Sequence, residues 1–143
     1  MTTRNLDALF RPASIALIGA SNQPGSIGEV LSRNLLENGF AGPIMPVNPK
    51  ARAVRSTVAY RSVAELPMAP DLAVIATPPE SVPGLVAELG ERGCRAAVVI
   101  SSGFEASSES GRALRQALLE AAKPHLLRVV GPNCLGFISP GRG

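Results

Sequence analysis

Short apolar runs alternate with stretches of helical period along the whole chain, and this alternation constrains the fold more than any other feature. The runs are continuously apolar, which is typical of strands that are covered on both faces of a sheet. The predicted strands are residues 14–18, 43–47, 71–77, 96–100 and 126–130, with a weakly marked one within 54–60.

Amphipathic stretches separate these strands. The predicted helices lie around residues 27–35, 62–66 (a single turn), 82–89 and 114–121. Gly39 is a fitting terminator for the first helix, and Ser107 or Ser108 is a fitting cap for the last. Strands joined by helices form parallel sheets with right-handed crossovers. The sequence therefore predicts an α/β fold: a doubly wound, Rossmann-like parallel sheet of five or six strands with helices on both faces.

Composition agrees with one domain that has an aliphatic core. The chain has 143 residues, of which 45% are hydrophobic and only 3% aromatic. That is too apolar for a disordered segment. Cys94 and Cys134 lie far apart, with no Cys or His at metal-ligand spacing, so neither a disulfide framework nor a zinc site is indicated.

Charge and hydropathy exclude two classes of partner. No run approaches the 18 or so apolar residues of a membrane helix, and the N-terminus has no apolar signal core, so we expect a cytoplasmic protein without membrane contact. A net charge of +3 with few aromatic residues argues against nucleic acid. The positive charge is local, because residues 38–64 contain Lys50, Arg52, Arg55 and Arg61 and no acidic residue.

The loop after the first strand is a candidate phosphate-binding loop. Glycines let a backbone approach a phosphate closely, and the helix that follows offers unpaired N–H groups. The loop reads Gly19-Ala20-Ser21-Asn22-Gln23-Pro24-Gly25-Ser26-Ile27-Gly28. Its spacing is longer than the dinucleotide fingerprint G-x-G-x-x-G. Nucleotide binding at the carboxyl edge of the sheet is therefore favoured over a plain turn.

The segment after the second strand narrows the choice of nucleotide. NAD sites place an acidic residue there, on the ribose 2′-hydroxyl. This chain has Asn48-Pro49-Lys50-Ala51-Arg52 instead. A cofactor with an additional ribose phosphate, coenzyme A or NADP, suits that segment better than NAD. Arg55 and Arg61 are expected to be solvated.

Five segments that follow the predicted strands or contain them occur in order: SIALIGAS (14–21), PVNPK (46–50), DLAVIATP (71–78), SSGF (101–104) and GPNCLG (131–136). Together they resemble the N-terminal CoA-binding domain of NDP-forming acyl-CoA synthetases, which include ADP-forming acetate–CoA ligases and, more distantly, the succinyl-CoA synthetase α subunit. The resemblance runs from about Leu6 to the end of the chain. It implies one CoA-binding domain over residues 1–143, the N-terminal part of a larger multidomain enzyme, with 138–143 beginning a linker.

The resemblance also implies roles for the loops. Residues 21–23 match the loop that holds the CoA phosphates, and Lys50 or Arg52 matches the basic residue near the 3′-phosphate. Residues 100–102 match the strand end beside the pantetheine arm, with 77–78 opposite. The candidate cofactor-binding residues are Gly19, Ser21, Asn22, Gln23, Gly25, Ser26, Asn48, Pro49, Lys50, Arg52, Thr77, Pro78, Ile100, Ser101, Ser102 and Asn133.

No catalytic residue or metal ligand is predicted in this chain. The family converts an acid, CoA and ATP to acyl-CoA, ADP and phosphate through a phosphohistidine that belongs to a later domain. His125 does not match that position, and Cys134 is expected to be a structural thiol. The chain alone would bind CoA without completing catalysis, and its partners would be the other domains or a subunit of the synthetase.

Two alternatives stay open. One is the NADP-binding domain of an oxidoreductase, although 143 residues leave no room for a substrate domain. The other is a CoA-binding regulatory module of a protein acetyltransferase, whose distinguishing domains would lie outside this chain.

Overall fold

The computed structural model describes residues 2–138 and 140, and its centre is a parallel sheet of five strands. Residues 139 and 141–143 of the expected linker lie outside the described residues. The sheet strands are β1 (Ile15–Ile18), β2 (Ile44–Val47), β5 (Leu72–Ile75), β6 (Ala96–Val99) and β7 (Arg128–Val130). The predicted Rossmann-like fold is confirmed.

The strand order creates a crevice at one point of the sheet. The order is β2-β1-β5-β6-β7, so the chain moves outward from β1 to β2 and then returns to the other side of β1 with β5. Ile18 at the end of β1 is in register with Val47 and with Ile75, so three strands end at the same level. Ligands of open α/β sheets bind at such a reversal, outside the carboxyl ends of the strands.

The continuous apolar runs arise because each strand faces two cores. Ala16 and Ile18 belong to one cluster, whereas Ile15 and Leu17 belong to the other. Helices α3 (Val82–Glu91) and α4 (Glu109–Ala122) cover the first face, and α1 (Leu6–Phe10) and α2 (Ile27–Glu37) cover the second. Within the part of the chain that the structure describes, no helix has the length and hydropathy to cross a membrane.

Side-chain caps fix where two helices begin. Ser26 Oγ accepts a hydrogen bond of 3.1 Å from the backbone N–H of Glu29 at the start of α2. Ser108 Oγ accepts one of 3.0 Å from Gly111 at the start of α4, which decides between the two predicted caps. Each cap satisfies an N–H group that the helix itself leaves unpaired.

The structure corrects the weakly marked strand at 54–60. That segment is an antiparallel hairpin of two short strands, β3 (Ala53–Val54) and β4 (Thr57–Val58). Arg55 and Ser56 form its turn with φ of 46° and 65°. Positive φ at both central residues is the geometry of a type I′ turn, for which sequences normally use Asn or Gly. Neither is present, so the turn gave no sequence signal.

Two further boundaries differ from the prediction. The last strand starts at Arg128, because a 3₁₀ turn at Lys123–His125 ends with Leu126 in the left-handed region. Helix α1 was not predicted, since five residues are too few to display a helical period. The predicted single turn at 62–66 is confirmed as a 3₁₀ turn at Val63–Glu65.

Candidate functional site

The loops at the carboxyl ends of the strands surround an open cleft of about 530 Å³. Six of the predicted residues line it: Thr77, Pro78, Ile100, Ser101, Ser102 and Asn133. They come from three different strands, which the parallel arrangement brings to one edge of the sheet. The remaining predicted residues lie in the loops after β1 and β2, at the same edge.

The loop after β1 passes unusually close to its neighbours. Gly19 has a φ of +95°, and a Cβ there would press against the carbonyl oxygen of Ala76. A Cβ at Gly28 would in turn press against the carbonyl oxygen of Gly19. Only glycine permits this approach, which brings the N-terminus of α2 directly over the end of β1. Helix N-termini in this position stabilise anions.

Serine side chains hold the loop in shape. Ser21 Oγ accepts from the backbone N–H of Gln23 at 3.0 Å, and Ser26 Oγ donates to the carbonyl of Gln23 at 2.8 Å. Gly25 has a φ of +78° and open space around a Cβ position. The loop is thus ordered by its own hydrogen bonds, with Gly25 on its open side.

Asn48 joins the loop after β2 to the loop after β1. Its Nδ2 donates to the carbonyl of Ala20 at 2.8 Å, and its Oδ1 accepts from the N–H groups of Lys50 and Ala51 at 2.8 and 2.9 Å. The loop after β2, residues 48–52, is called the basic segment below, and these hydrogen bonds fix the position of its backbone. The side chains of Lys50 and Arg52 form no ion pair within the described residues and lie on the surface.

Short hydrogen bonds fasten the strand ends that form the cleft. Ser101 Oγ donates to the carbonyl of Thr77 at 2.6 Å, and the N–H of Asn133 donates to the carbonyl of Ser101 at 2.9 Å. The cleft is lined by small residues and prolines together with a few larger apolar side chains. The backbone of Asn133 thus helps to hold the last loop against the end of β6.

The two cysteines differ in environment. Cys94 is buried at the opposite end of the sheet from the cleft, and burial raises the pKa of its thiol to about 11. Cys134 lines the cleft, with its Sγ 3.3 Å from the carbonyl oxygen of Val99. Neither cysteine forms a disulfide. His125 packs against Gly90, away from the cleft.

Sequence reasoning missed part of the cleft wall. Ile27, Pro79 and Leu135 line the cleft, and Ile27 is 62% exposed. Ile27 begins the predicted helix at 27–35, but the buried positions of α2 are Gly28 and Ser32. No periodic pattern in the sequence marks Ile27 as exposed, because its position depends on the close approach of Gly28 to Gly19.

Comparison with known proteins identifies the family. Residues 13–140 match the model of a CoA binding domain. The chain is 41% identical over 138 residues to the α subunit of an ADP-forming acetate–CoA ligase I from Pyrococcus furiosus, covering 94% of this chain and 30% of that one. It is 41% identical over 135 residues to a trans-feruloyl-CoA synthase from an unknown prokaryotic organism, covering 94% and 19%.

A solved structure supports the same assignment. A dinucleotide-forming acetyl-coenzyme A synthetase 1 from Candidatus Korarchaeum cryptofilum, in complex with phosphate and ADP, superposes with a TM-score of 0.88 at 38% identity. The match covers 96% of this chain and 29% of that one. The chain thus spans under a third of the length of this structure and of the two ligase relatives named above. With this fold and a family match that covers nearly all of its length, the chain belongs to the CoA-binding domain family, whose ligand is coenzyme A.

Proposed function

We propose that this chain is the CoA-binding domain of an ADP-forming acyl-CoA synthetase and that CoA lies along the carboxyl edge of its sheet. The observation that carries the proposal is the convergence, at the strand-order reversal, of a glycine-mediated helix N-terminus, an exposed basic segment and an open cleft between the strand ends. These three features correspond to the three chemical parts of CoA: a pyrophosphate, a 3′-phosphorylated nucleoside and a thin pantetheine arm.

The pyrophosphate is assigned to the loop after β1. The N–H groups in the first turn of α2 supply hydrogen-bond donors and the positive end of the helix dipole. Ser21, Gln23 and Ser26 shape this loop, and Gly25 leaves its outer side open. No side chain of the loop carries charge, so the backbone supplies the attraction there.

The 3′-phosphate is assigned to the basic segment. Asn48 fixes the backbone of Lys50, whose ammonium group is exposed and free to pair with an anion. Arg52 is equally exposed and is the second candidate. The NADP-binding alternative is not favoured, because the family match covers nearly the whole chain.

The pantetheine arm is assigned to the cleft between the ends of β5 and β6. Thr77 and Pro78 form one side, and Ile100, Ser101 and Ser102 form the other. The apolar surfaces of Ile27 and Leu135 suit the methylene and gem-dimethyl groups of the arm.

The complete reaction and its partners lie beyond this chain. We assign it to an enzyme that converts an acid, CoA and ATP to acyl-CoA, ADP and phosphate in the cytoplasm, with ATP binding and the phosphohistidine supplied by other domains or a subunit. Relatives named for acetate and for ferulate are equally similar to this chain. The acyl group is therefore selected outside this domain.

Cysteine alkylation tests where CoA binds. Desulfo-CoA, which has no thiol of its own, should slow alkylation of Cys134 by about tenfold or more, because the pantetheine arm covers the cleft that this thiol lines. The measurement is the rate of iodoacetamide incorporation at each cysteine by mass spectrometry. Cys94 is the internal control, since its burial and raised pKa keep it unreactive in the folded chain. An unchanged Cys134 rate at saturating desulfo-CoA would contradict the proposed position.

A further inference from the structure

The β3–β4 hairpin is held in a conformation that its own sequence does not favour. Arg55 and Ser56 both have positive φ, and neither is a residue that adopts the left-handed region readily. The hairpin has only two residues in each strand. So short a hairpin is not stable by itself in water, and contacts from elsewhere must hold it.

Asn22 supplies two of these contacts from the phosphate loop. Its Nδ2 donates to the carbonyl of Ala53 at 2.9 Å, and its Oδ1 accepts from the N–H of Arg55 at 3.0 Å. Both polar ends of this side chain are therefore engaged with the hairpin backbone. Asn22 thereby connects the loop after β1 to the hairpin, and its predicted place at the CoA phosphates stays a prediction.

Helix α2 supplies the other contacts. The guanidinium of Arg55 pairs with Glu29, at 3.4 Å, and with Glu37. Glu29 is the third residue of α2, where a glutamate commonly turns back to cap its own helix. Here its side chain, only 12% exposed, lies between Arg55 and Arg33. Arg55 is thus exposed, as the sequence predicts, and in addition it pairs with two carboxylates of the protein.

The hairpin continues directly from the basic segment. Arg52 precedes β3, and its carbonyl accepts from the N–H of Ala59, which follows β4, at 3.0 Å. Asn48 fixes the beginning of the segment to the loop after β1, and Asn22 fixes its end to the same loop. The position of the Lys50 and Arg52 side chains therefore depends on both attachments.

We propose that Asn22 and Arg55, with Glu29 and Glu37, form a hairpin clamp that positions the basic segment and thereby sets the preference for a 3′-phosphorylated nucleotide. These are positioning residues: they act through Lys50 and Arg52. The inference rests on the proposed function, because it concerns how this edge of the sheet selects CoA over dephospho-CoA.

The test is titration calorimetry of the whole chain with CoA and with dephospho-CoA. Asn22→Ala should weaken CoA binding about tenfold and dephospho-CoA binding no more than about twofold, since two hydrogen bonds that position the segment are lost. Arg55→Ala should act in the same direction by about threefold, because the ion pairs it removes are partly exposed.

Arg33→Ala is the matched control. It removes the same charge and also a partner of Glu29, at 3.5 Å. Arg33 lies on α2 and forms no ion pair with the hairpin among the residues that the structure describes. It should leave the ratio of the two affinities unchanged. If Asn22→Ala weakened the binding of CoA and of dephospho-CoA equally, the proposed clamp would be wrong. It would also be wrong if Arg55→Ala and Arg33→Ala had equal effects on the ratio of the two affinities. If the unsubstituted chain bound neither CoA nor dephospho-CoA, the proposed function itself would be wrong.

Hydrogen exchange gives a readout without ligand. In Asn22→Ala the amides of residues 50–59 should exchange about tenfold faster, while those of β1 and β5 keep their protection. Uniform acceleration over the whole chain would mean that the variant is merely destabilised, and unchanged exchange in 50–59 would mean that Asn22 does not hold the hairpin. Either result contradicts the proposal.

Discussion

Replacing Gly28 with alanine should destabilise the chain by about 3 kcal/mol. The new Cβ would press against the carbonyl oxygen of Gly19, so α2 must move away from the end of β1 or the loop must distort. The measurement is the free energy of unfolding from urea titration. Because the same movement opens the phosphate loop, CoA binding should also weaken in protein that is still folded.

Gly84→Ala is the matched control for this substitution. Gly84 also lies in the first turn of a helix, α3, but a Cβ there meets open space. Alanine should therefore stabilise the chain by up to about 1 kcal/mol through its higher helix propensity. If Gly28→Ala and Gly84→Ala changed the free energy of unfolding by the same amount, the close approach of α2 to β1 would be wrong. The position of the proposed phosphate site would then be wrong as well.

Reversing the charge of Lys50 should weaken CoA binding by about 50-fold and dephospho-CoA binding by no more than about threefold. A hydrogen bond between charged groups contributes about 1.5–3 kcal/mol, and Lys50→Glu replaces that attraction with repulsion of the 3′-phosphate. Calorimetric titration measures, for each ligand, the ratio of the affinity of the parent chain to that of the variant. Equal weakening of both ligands would remove Lys50 from the 3′-phosphate.

Lys123→Glu controls for the change in net charge. Lys123 is exposed and lies in the 3₁₀ turn that precedes β7, at the end of the sheet opposite the cleft. It should leave both affinities within about twofold of the parent chain, since charges that far apart are screened at ordinary ionic strength. An effect as large as that of Lys50→Glu would attribute the loss to overall charge and not to a local contact. Arg52→Glu then decides between the two candidates in the segment.

The strand framework could be predicted because its cause is local in sequence. Strands such as Ile15–Ile18 face two cores, so every residue must be apolar, and the run is visible without any structure. The helices between them carry a period that positions such as Val82, Val86 and Leu89 display in full. These patterns together are enough to determine a doubly wound sheet.

The hairpin and the orientation of α2 could not be predicted, because their causes are contacts between distant segments. The left-handed turn at Arg55 and Ser56 depends on Asn22, which lies 33 positions before Arg55. The outward position of Ile27 depends on how closely Gly28 approaches Gly19. Neither contact leaves a periodic signal in the sequence.

The candidate site was predictable in location and only partly in detail. Fold topology places every strand end at one edge, so residues such as Thr77 and Ser101 meet at the cleft as expected. What the sequence could not reveal is which polar groups face a ligand and which hold the loops together. Asn48 and Asn22 both hydrogen-bond to the backbone, whereas Lys50 and Arg52 beside them are exposed and form no ion pair within the described residues.

The most direct test of the central claim is parallel calorimetric titration of the purified chain with CoA, dephospho-CoA, NADP and NAD. We expect CoA to bind most tightly and removal of its 3′-phosphate to weaken binding. NAD should bind least, because no acidic residue follows β2 to hold its ribose. Tighter binding of NADP than of CoA, or equal binding of CoA and dephospho-CoA, would contradict the central claim.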